Sequence, residues 1–444
     1  MRRESLTDLV SVGRNFRSLN GVLAAMAVSL TGTRISAVAL PWFVLVTTGS
    51  PTQTGLVAFC EMAPYVVVKA LTGPVVDLIG PRTVSWTTDL VSAAAVGAIP
   101  LFHALDLFSL TSLLFLVAMV GAARGPGDLA KAIMVPEAAE RGGIPLERAT
   151  GLSGVTERFA STVGPAVGGS LVALLGPLTG LVVNAGCFVL GSLIIMLVLP
   201  RGLGHGTPAG PASPGHQQPG YWRLFGEGFT FLRREPLLLT ITIMISITNL
   251  LDAAFMQVLV PVWANESGNG PSGIGLTGSV LGIAAVCGSL IATTVAHRMP
   301  RRLVFFAGFF LAGAPRFFVL AVGAPMWSVL AVFAIGGLGA GFLNPILAAL
   351  SFERIPRQLL GRVNALRDSL AWSGIPVGGL IAGAVVASLG LVPALIASGT
   401  AYFLTTNLTG LRPEWREMDR LRGKGRADER KEDPTGQSSV STAL

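Results

Sequence analysis

The sequence predicts an all-α membrane protein with twelve transmembrane helices, arranged as two pseudo-symmetric six-helix bundles around a central cavity. Three observations carry this expectation. Apolar segments of helical length follow one another almost without pause, and only 13% of the 444 residues are charged, about half the share found in soluble domains. An internal repeat is present: Leu146 to Gly176 aligns without gaps to Leu360 to Gly390 at an offset of 214, with ten identities in 31 positions. The basic residues are segregated to one side of the apolar segments.

The chain opens on a polar cytoplasmic N-terminal segment, 1–18, holding Arg2, Arg3, Arg14 and Arg17. The first apolar segment is too long for a cleavable signal peptide and leads directly into further spans. The twelve spans fall at roughly 19–46, 54–78, 83–103, 108–135, 147–175, 178–199, 237–263, 273–296, 302–322, 326–350, 360–389 and 391–411. The first bundle therefore occupies 19–199 and the second 237–411, with a cytoplasmic linker at 200–236 between them. Residues 200–220 have the Gly- and Pro-rich composition of a linker. Over 221–235, Trp222, Phe225, Phe229 and Leu232 share one face opposite Arg223, Arg233 and Arg234, the pattern of an interfacial amphipathic helix. The charged tail, 412–444, is expected to be cytoplasmic and disordered.

Orientation follows from Lys and Arg. Six of the 32 fall within spans away from their N-terminal-side ends, namely Arg34, Lys69, Arg124, Lys131, Arg158 and Arg316; the other 26, with Arg148, Arg302, Arg362 and Arg367 counted at the starts of their spans, are placed on the side of the N-terminus. Both termini and the linker are thus expected in the cytoplasm of a multi-pass protein of the cell (inner or plasma) membrane. The net charge of +8 is explained by this asymmetry, so no nucleic-acid partner is expected. Cys60, Cys187 and Cys287 all lie in apolar segments and read as small hydrophobes, with no metal or disulfide framework. Gly268 to Gly273 satisfies G-x-G-x-x-G, yet no strand precedes it in this outside loop. No Walker A, HExxH or GxSxG pattern occurs. An enzyme, an ATP-driven pump and a bound cofactor are therefore not expected.

The repeat carries packing information. Gly164 and Gly168 stand four apart on one helical face, the small-residue spacing that brings membrane helices close, and Pro165 bends the helix between them. Gly164 and Gly169 recur as Gly378 and Gly383. Gly164 and Gly168 are expected to face Gly278 and Gly282 of the eighth span, in the other half. Pro41 pairs with Pro261, while Gly121, Gly125 and Glu137 pair with Gly337, Gly341 and Glu353. Two parallel six-span repeats place a substrate site between the halves near the bilayer midplane.

Three stretches resemble signatures of the major facilitator superfamily, particularly its twelve-span drug:proton antiporters of the macrolide and multidrug efflux kind. Gly73-Pro-Val-Val-Asp77-Leu-Ile-Gly80-Pro-Arg82 is similar to the G-x-x-x-D-R-x-G-R-R loop between the second and third spans, with Leu78 and Pro81 replacing two basic positions. The second half offers a looser copy, with His297 at the Asp position and Arg298, Arg301 and Arg302 as its basic residues. Gly164-Pro165-Ala166-Val167-Gly168-Gly169 resembles the fifth-span antiporter signature, and Ala39-Leu-Pro-Trp-Phe-Val with Thr48-Gly-Ser-Pro51 the end of the first span. The resemblance implies a rocker-switch exporter of amphipathic or lipophilic small molecules, driven by inward proton flow and working as a monomer. A dedicated exporter of one metabolite, such as a siderophore or antibiotic, or a proton-coupled importer or facilitator, fits the same pattern.

A charge at the bilayer centre costs about 2.5–3.5 kcal/mol on insertion scales, so each one invites a role. The first half holds Arg34, Glu61, Lys69, Asp89, Arg124, Asp128, Lys131, Glu157 and Arg158, whereas the second is read as holding only Asp252 and Arg316. Proton coupling is therefore expected at Glu157, Arg158, Arg124 and Asp128. Arg34, Asp252, Asn249, Gln257 and Trp372 are candidates for the cavity wall and substrate contacts, with Arg34 and Asp252 paired across it or each satisfied within its own half. Glu61 reads as a solvated residue at the outer mouth, and Asp89 as packed against a partner on span two or four, with Lys69 a candidate. Asp77 is expected near Arg362 at the start of the eleventh span, closing the cytoplasmic side.

Overall fold

The computed structural model describes residues 4–200, 221–295, 301–356 and 359–410. Among these, twelve helices are long and apolar enough to cross a membrane. The first six are Phe16–Thr48, Pro51–Leu71, Pro81–Ala104, Leu110–Arg141, Arg148–Leu175 and Pro177–Val198. The second six are Pro236–Glu266, Gly270–Ala292, Arg302–Ala321, Met326–Leu347, Val363–Leu389 and Leu391–Thr409. They are called spans one to twelve. A short helix, Gly73–Ile79, joins spans two and three, and the helix Tyr221–Arg234 occupies the expected amphipathic segment.

Turn chemistry sets several ends. Ser50 caps span two by accepting from the Gln53 amide at 3.3 Å, and Ser109 and Ser112 close a reciprocal capping box at span four. Gly80, at φ 91°, occupies a backbone region that an L side chain rarely adopts. Arg82 follows it and donates to the carbonyls of Leu199 at 3.1 Å and Met196 at 2.7 Å. A cation thus satisfies the orphan carbonyls ending span six.

Prolines interrupt three helices where polar residues gather. In span seven, Pro261 has no N–H to give the carbonyl four residues back, and the turn Phe255–Leu259 is a π-helix. In span nine, Gly313 precedes Pro315, and a side chain at Gly313 would overlap the Tyr402 ring. In span eleven, the helix Leu360–Trp372 stops and a second begins at Ile375, with Pro376 in its first turn.

The two halves repeat the same contacts. Gly164 packs on Thr31 and Arg34 of span one, and its repeat partner Gly378 packs on Leu250 and Ala254 of span seven. Gly169 lies against Pro271 and Gly275 of span eight, while its partner Gly383 lies against Pro51 and Thr52 of span two. The first pair of contacts is internal to each bundle and the second crosses between them. The expected glycine face is therefore turned: Gly168 meets Ile35 in its own half, and Gly169 with Pro165 meets span eight at Gly275 and Gly278. Neighbouring helical residues point about 100° apart, so span five carries two small-residue faces and serves both interfaces.

Further links tie the bundles together away from the chain termini. Gly55 abuts the Gly379 backbone, Thr52 donates to the Gly383 carbonyl at 3.3 Å, and Ser279 donates to the Thr162 carbonyl at 3.2 Å. The halves are thus clasped on the side opposite the termini. Beneath this clasp the cavity runs from Pro41 and Thr54 to Lys131 and Ser153, toward the terminal side.

Candidate transport site

The central cavity has a volume of about 500 Å³ and is walled by spans one, two, four and five of the first half and seven and eleven of the second. Its chemistry rests on two helical stripes. On span two, Glu61, Tyr65 and Lys69 recur every four residues and share a face; on span four, Arg124 and Asp128 do the same. Gly121 and Gly125 bring the stripes together, since a side chain at Gly121 would strike the Glu61 carbonyl and one at Gly125 the backbone of Tyr65 and Lys69.

The result is a continuous ladder. Arg124 bridges to Glu61 at 2.9 Å, and its Nε lies 3.7 Å from Asp128. The Tyr65 hydroxyl donates to Asp128 Oδ2 at 3.2 Å and accepts from Lys69 Nζ at 3.2 Å. The Arg124 guanidinium also sits 4.6 Å from the Tyr65 ring centre, a cation–π arrangement. Glu61 is therefore not a solvated mouth residue: it accepts from the central guanidinium. The ladder reaches the second half through Trp372, whose ring stacks on Tyr65 with centroids 6.1 Å apart and lies 4.6 Å from Lys69 Nζ.

Asp89 is paired with Lys131, not with Lys69. Lys131 Nζ lies 2.8 Å from Asp89 Oδ1 with both side chains 3% exposed, and Ser29 donates to the other carboxylate oxygen at 3.3 Å. Lys131 thus ties span four to span three. Gly127 permits that approach by leaving room for Thr88 and Asp89.

Glu157 lines the cavity, is exposed to it, and has no hydrogen bond or ion pair among the described residues. Arg34 lines the same space, with its stem against Gly164. Arg158, one residue on, does not border this cavity.

Asp252 does not meet Arg34. It bonds to Arg316 of span nine inside its own half, where Arg316 is enclosed by Phe255, Phe317 and Tyr402. Gln257, carried on the π turn, does reach the cavity, and its buried Oε1 has no hydrogen-bond partner among the described residues. Asn249 donates to the Ala371 carbonyl at 2.9 Å, cross-tying spans seven and eleven. The second half also holds charge besides Asp252 and Arg316: Arg367 is buried within span eleven, beside Asp368.

Of the expected gate, Gly73 and Gly80 bound the short helix between spans two and three, and Arg302 begins span nine. His297 and Arg298 lie outside the described residues, as do the side chains of Asp77 and Arg362.

The dependence of the ladder on close backbone approach yields a test. Gly121→Val should drive span two off span four and cost about 1–3 kcal/mol as overpacking, seen as a lower melting temperature in detergent. An unchanged melting temperature would mean that the two stripes tolerate separation.

Comparison with known proteins places this geometry. The Major Facilitator Superfamily profile matches residues 22–268 and 242–420. The chain is 30% identical over 404 residues to the multidrug efflux pump Tap of Mycolicibacterium fortuitum, covering 90% of this chain and 96% of that protein. It is 22% identical over 409 residues to macrolide efflux protein A of Streptococcus pyogenes, covering 90% and 96%. Among solved structures, a mutant form of the nucleoside transporter NupG superposes with a TM-score of 0.71 at 14% identity, covering 89% of this chain and all of that one. A bacterial homologue of the lysosomal transporter Spinster, inward-facing and unoccupied, superposes at 0.67 and 13% identity, covering 91% and 97%. The chain belongs to the Major Facilitator Superfamily of membrane transporters.

Proposed function

We propose that this protein exports amphipathic or lipophilic small molecules in exchange for protons, by rocker-switch alternation of its two halves. One observation carries the reading: the first-half wall of the cavity holds Arg34, Lys69 and Arg124 against Glu61, Asp128 and Glu157, and only the last of these carboxylates has no bonded partner among the described residues. The similarity to efflux pumps supports export as the direction.

With the termini in the cytoplasm, the clasp at Gly55–Gly379 and Gly169–Gly275 closes the outer side, and the cavity accepts substrate from within. Four cations line the cavity, and Lys131 is neutralised by Asp89; the other three balance the three carboxylates. A positively charged substrate adds one charge, and a proton on Glu157 adds another. Each uncompensated charge at midplane depth costs about 2.5–3.5 kcal/mol, so proton and cationic substrate compete for the same space. Outside, protonation of Glu157 favours release of the substrate; inside, loss of the proton restores the balance and readies the site. A single proton crossing about 100 mV supplies roughly 2.3 kcal/mol, enough to sustain about a fifty-fold gradient of a neutral substrate.

The test is a panel of lipophilic cations and neutral amphiphiles presented to proteoliposomes under an imposed pH gradient. Accumulation that follows the gradient and collapses with a protonophore is expected. Transport indifferent to the gradient, or no transport of any member, would contradict the proposal.

A further inference from the structure

A second, open chamber of about 500 Å³ is lined by residues of the second half, between spans seven, ten and eleven, and shares Trp372 with the lining of the central cavity. Its wall is polar in a specific way. Asn249, Asn344 and Asn364 contribute planar amides, Asp368 a carboxylate, Thr242 and Ser351 hydroxyls, and Arg367 a guanidinium. Arg367 is only 8% exposed and is held by neutral groups: it donates to Ser351 at 2.5 Å, to Thr242 at 3.3 Å and to Asn364 Oδ1 at 3.4 Å. It is thereby fixed with its charge next to Asp368. Asn344 and Asp368 are exposed to the chamber and have no hydrogen bond among the described residues.

Such a wall is suited to neither a greasy surface nor an ion. The single cation and single anion cancel, which removes the drive to admit a net charge. The amides present a donor beside an acceptor and the carboxylate two acceptors, in planar forks, which match adjacent hydroxyl groups on a ring. Trp372 adds an apolar face at the entrance, and the volume falls within the range of roughly 300–1,000 Å³ typical of small-molecule sites. We propose that this chamber is a subsite for the hydroxyl-rich, glycoside-type portion of a transported molecule, whose apolar body lies in the central cavity. Asn344 and Asp368 supply the free hydrogen-bonding groups, Arg367 holds the wall in place, and Trp372 marks the border between the two parts. This inference rests on the transport reading above and adds to it a class of substrate.

The experiment uses the full-length protein in lipid nanodiscs and measures equilibrium binding of 4-methylumbelliferone, its β-glucoside and its β-glucuronide. The wild type should bind the glucoside more tightly than the aglycone. Asn344→Leu and Asp368→Asn should each weaken glucoside binding about tenfold, equivalent to about 1.4 kcal/mol, and leave the aglycone unchanged. Asn344→Leu should melt as the wild type does, since its side chain has no hydrogen bond among the described residues; Asp368→Asn removes the charge beside Arg367, so its melting temperature is read alongside and Asn344→Leu carries the test if that temperature falls. A wild type without preference for the glucoside, including one that binds neither compound, overturns the proposal. So does equal weakening of both ligands in the variants, and so does tighter binding of the glucuronide, which would make the chamber an anion site around Arg367. Pump failure is read separately: gradient-driven transport of lipophilic cations that persists without glycoside preference removes this subsite and leaves the proposed function standing.

Discussion

Replacing Lys131 by methionine will destabilise the protein by about 3–5 kcal/mol, the cost typical of breaking a buried ion pair and leaving one charge alone. Lys131 and Asp89 are 2.8 Å apart and each is 3% exposed; without the ammonium, Asp89 retains only the Ser29 hydroxyl at 3.3 Å. The double variant Asp89→Leu with Lys131→Met should recover most of the loss, because replacing both partners by apolar groups is often nearly neutral. Thermal unfolding of the purified proteins in detergent checks both statements. A single variant that melts like the wild type would show that the pair contributes no stability to the first bundle.

Gly169→Leu should abolish transport while leaving insertion and folding of the two bundles intact. Gly169 lies on the seam between the halves, with Gly275 and Pro271 against it. A leucine there wedges the clasp open on the side opposite the termini; overpacking of about 1–3 kcal/mol displaces the closed state by a factor on the order of ten or more. Gly168→Leu should behave differently, since Gly168 rests on Ile35 of its own bundle. It should lower the melting temperature. Accessibility of a cysteine introduced at Thr52, measured in both variants, separates the cases: raised labelling in Gly169→Leu only is expected, and equal labelling would contradict this division of the two faces.

The architecture was legible because a bilayer leaves few choices. Each span must satisfy its own backbone, so apolar length alone gives the helices, and the Leu146/Leu360 repeat gives their grouping. Rotation about the helix axis was harder. Gly164, Gly168 and Gly169 all promise close packing, and which of them faces span eight depends on a rotation of about 100° that small residues on both sides leave undetermined. The partners of buried charges were harder still, because they come from different spans. Of the alternatives left open, Asp252 is satisfied within its own half, by Arg316, and Asp89 by span four, through Lys131. Arg367 stands close to the blurred start of span eleven, where Arg362 also lies, and so reads as cytoplasmic; its burial is set by Ser351 and Thr242 on two other helices. The ladder did leave a trace. Glu61, Tyr65 and Lys69 at four-residue spacing, with Arg124 and Asp128 at the same spacing beside Gly121 and Gly125, mark two complementary faces in the sequence itself.

The central claim is that a proton on Glu157 drives the exchange. Its most direct test compares the wild type with Glu157→Gln, which fixes the neutral form of the side chain, in proteoliposomes preloaded with a transported lipophilic cation. Counterflow of labelled substrate with no pH gradient should survive in the variant. Accumulation driven by an imposed pH gradient should disappear. Full gradient-driven accumulation by Glu157→Gln would contradict the account and move the proton to Asp128, the carboxylate bonded to Tyr65.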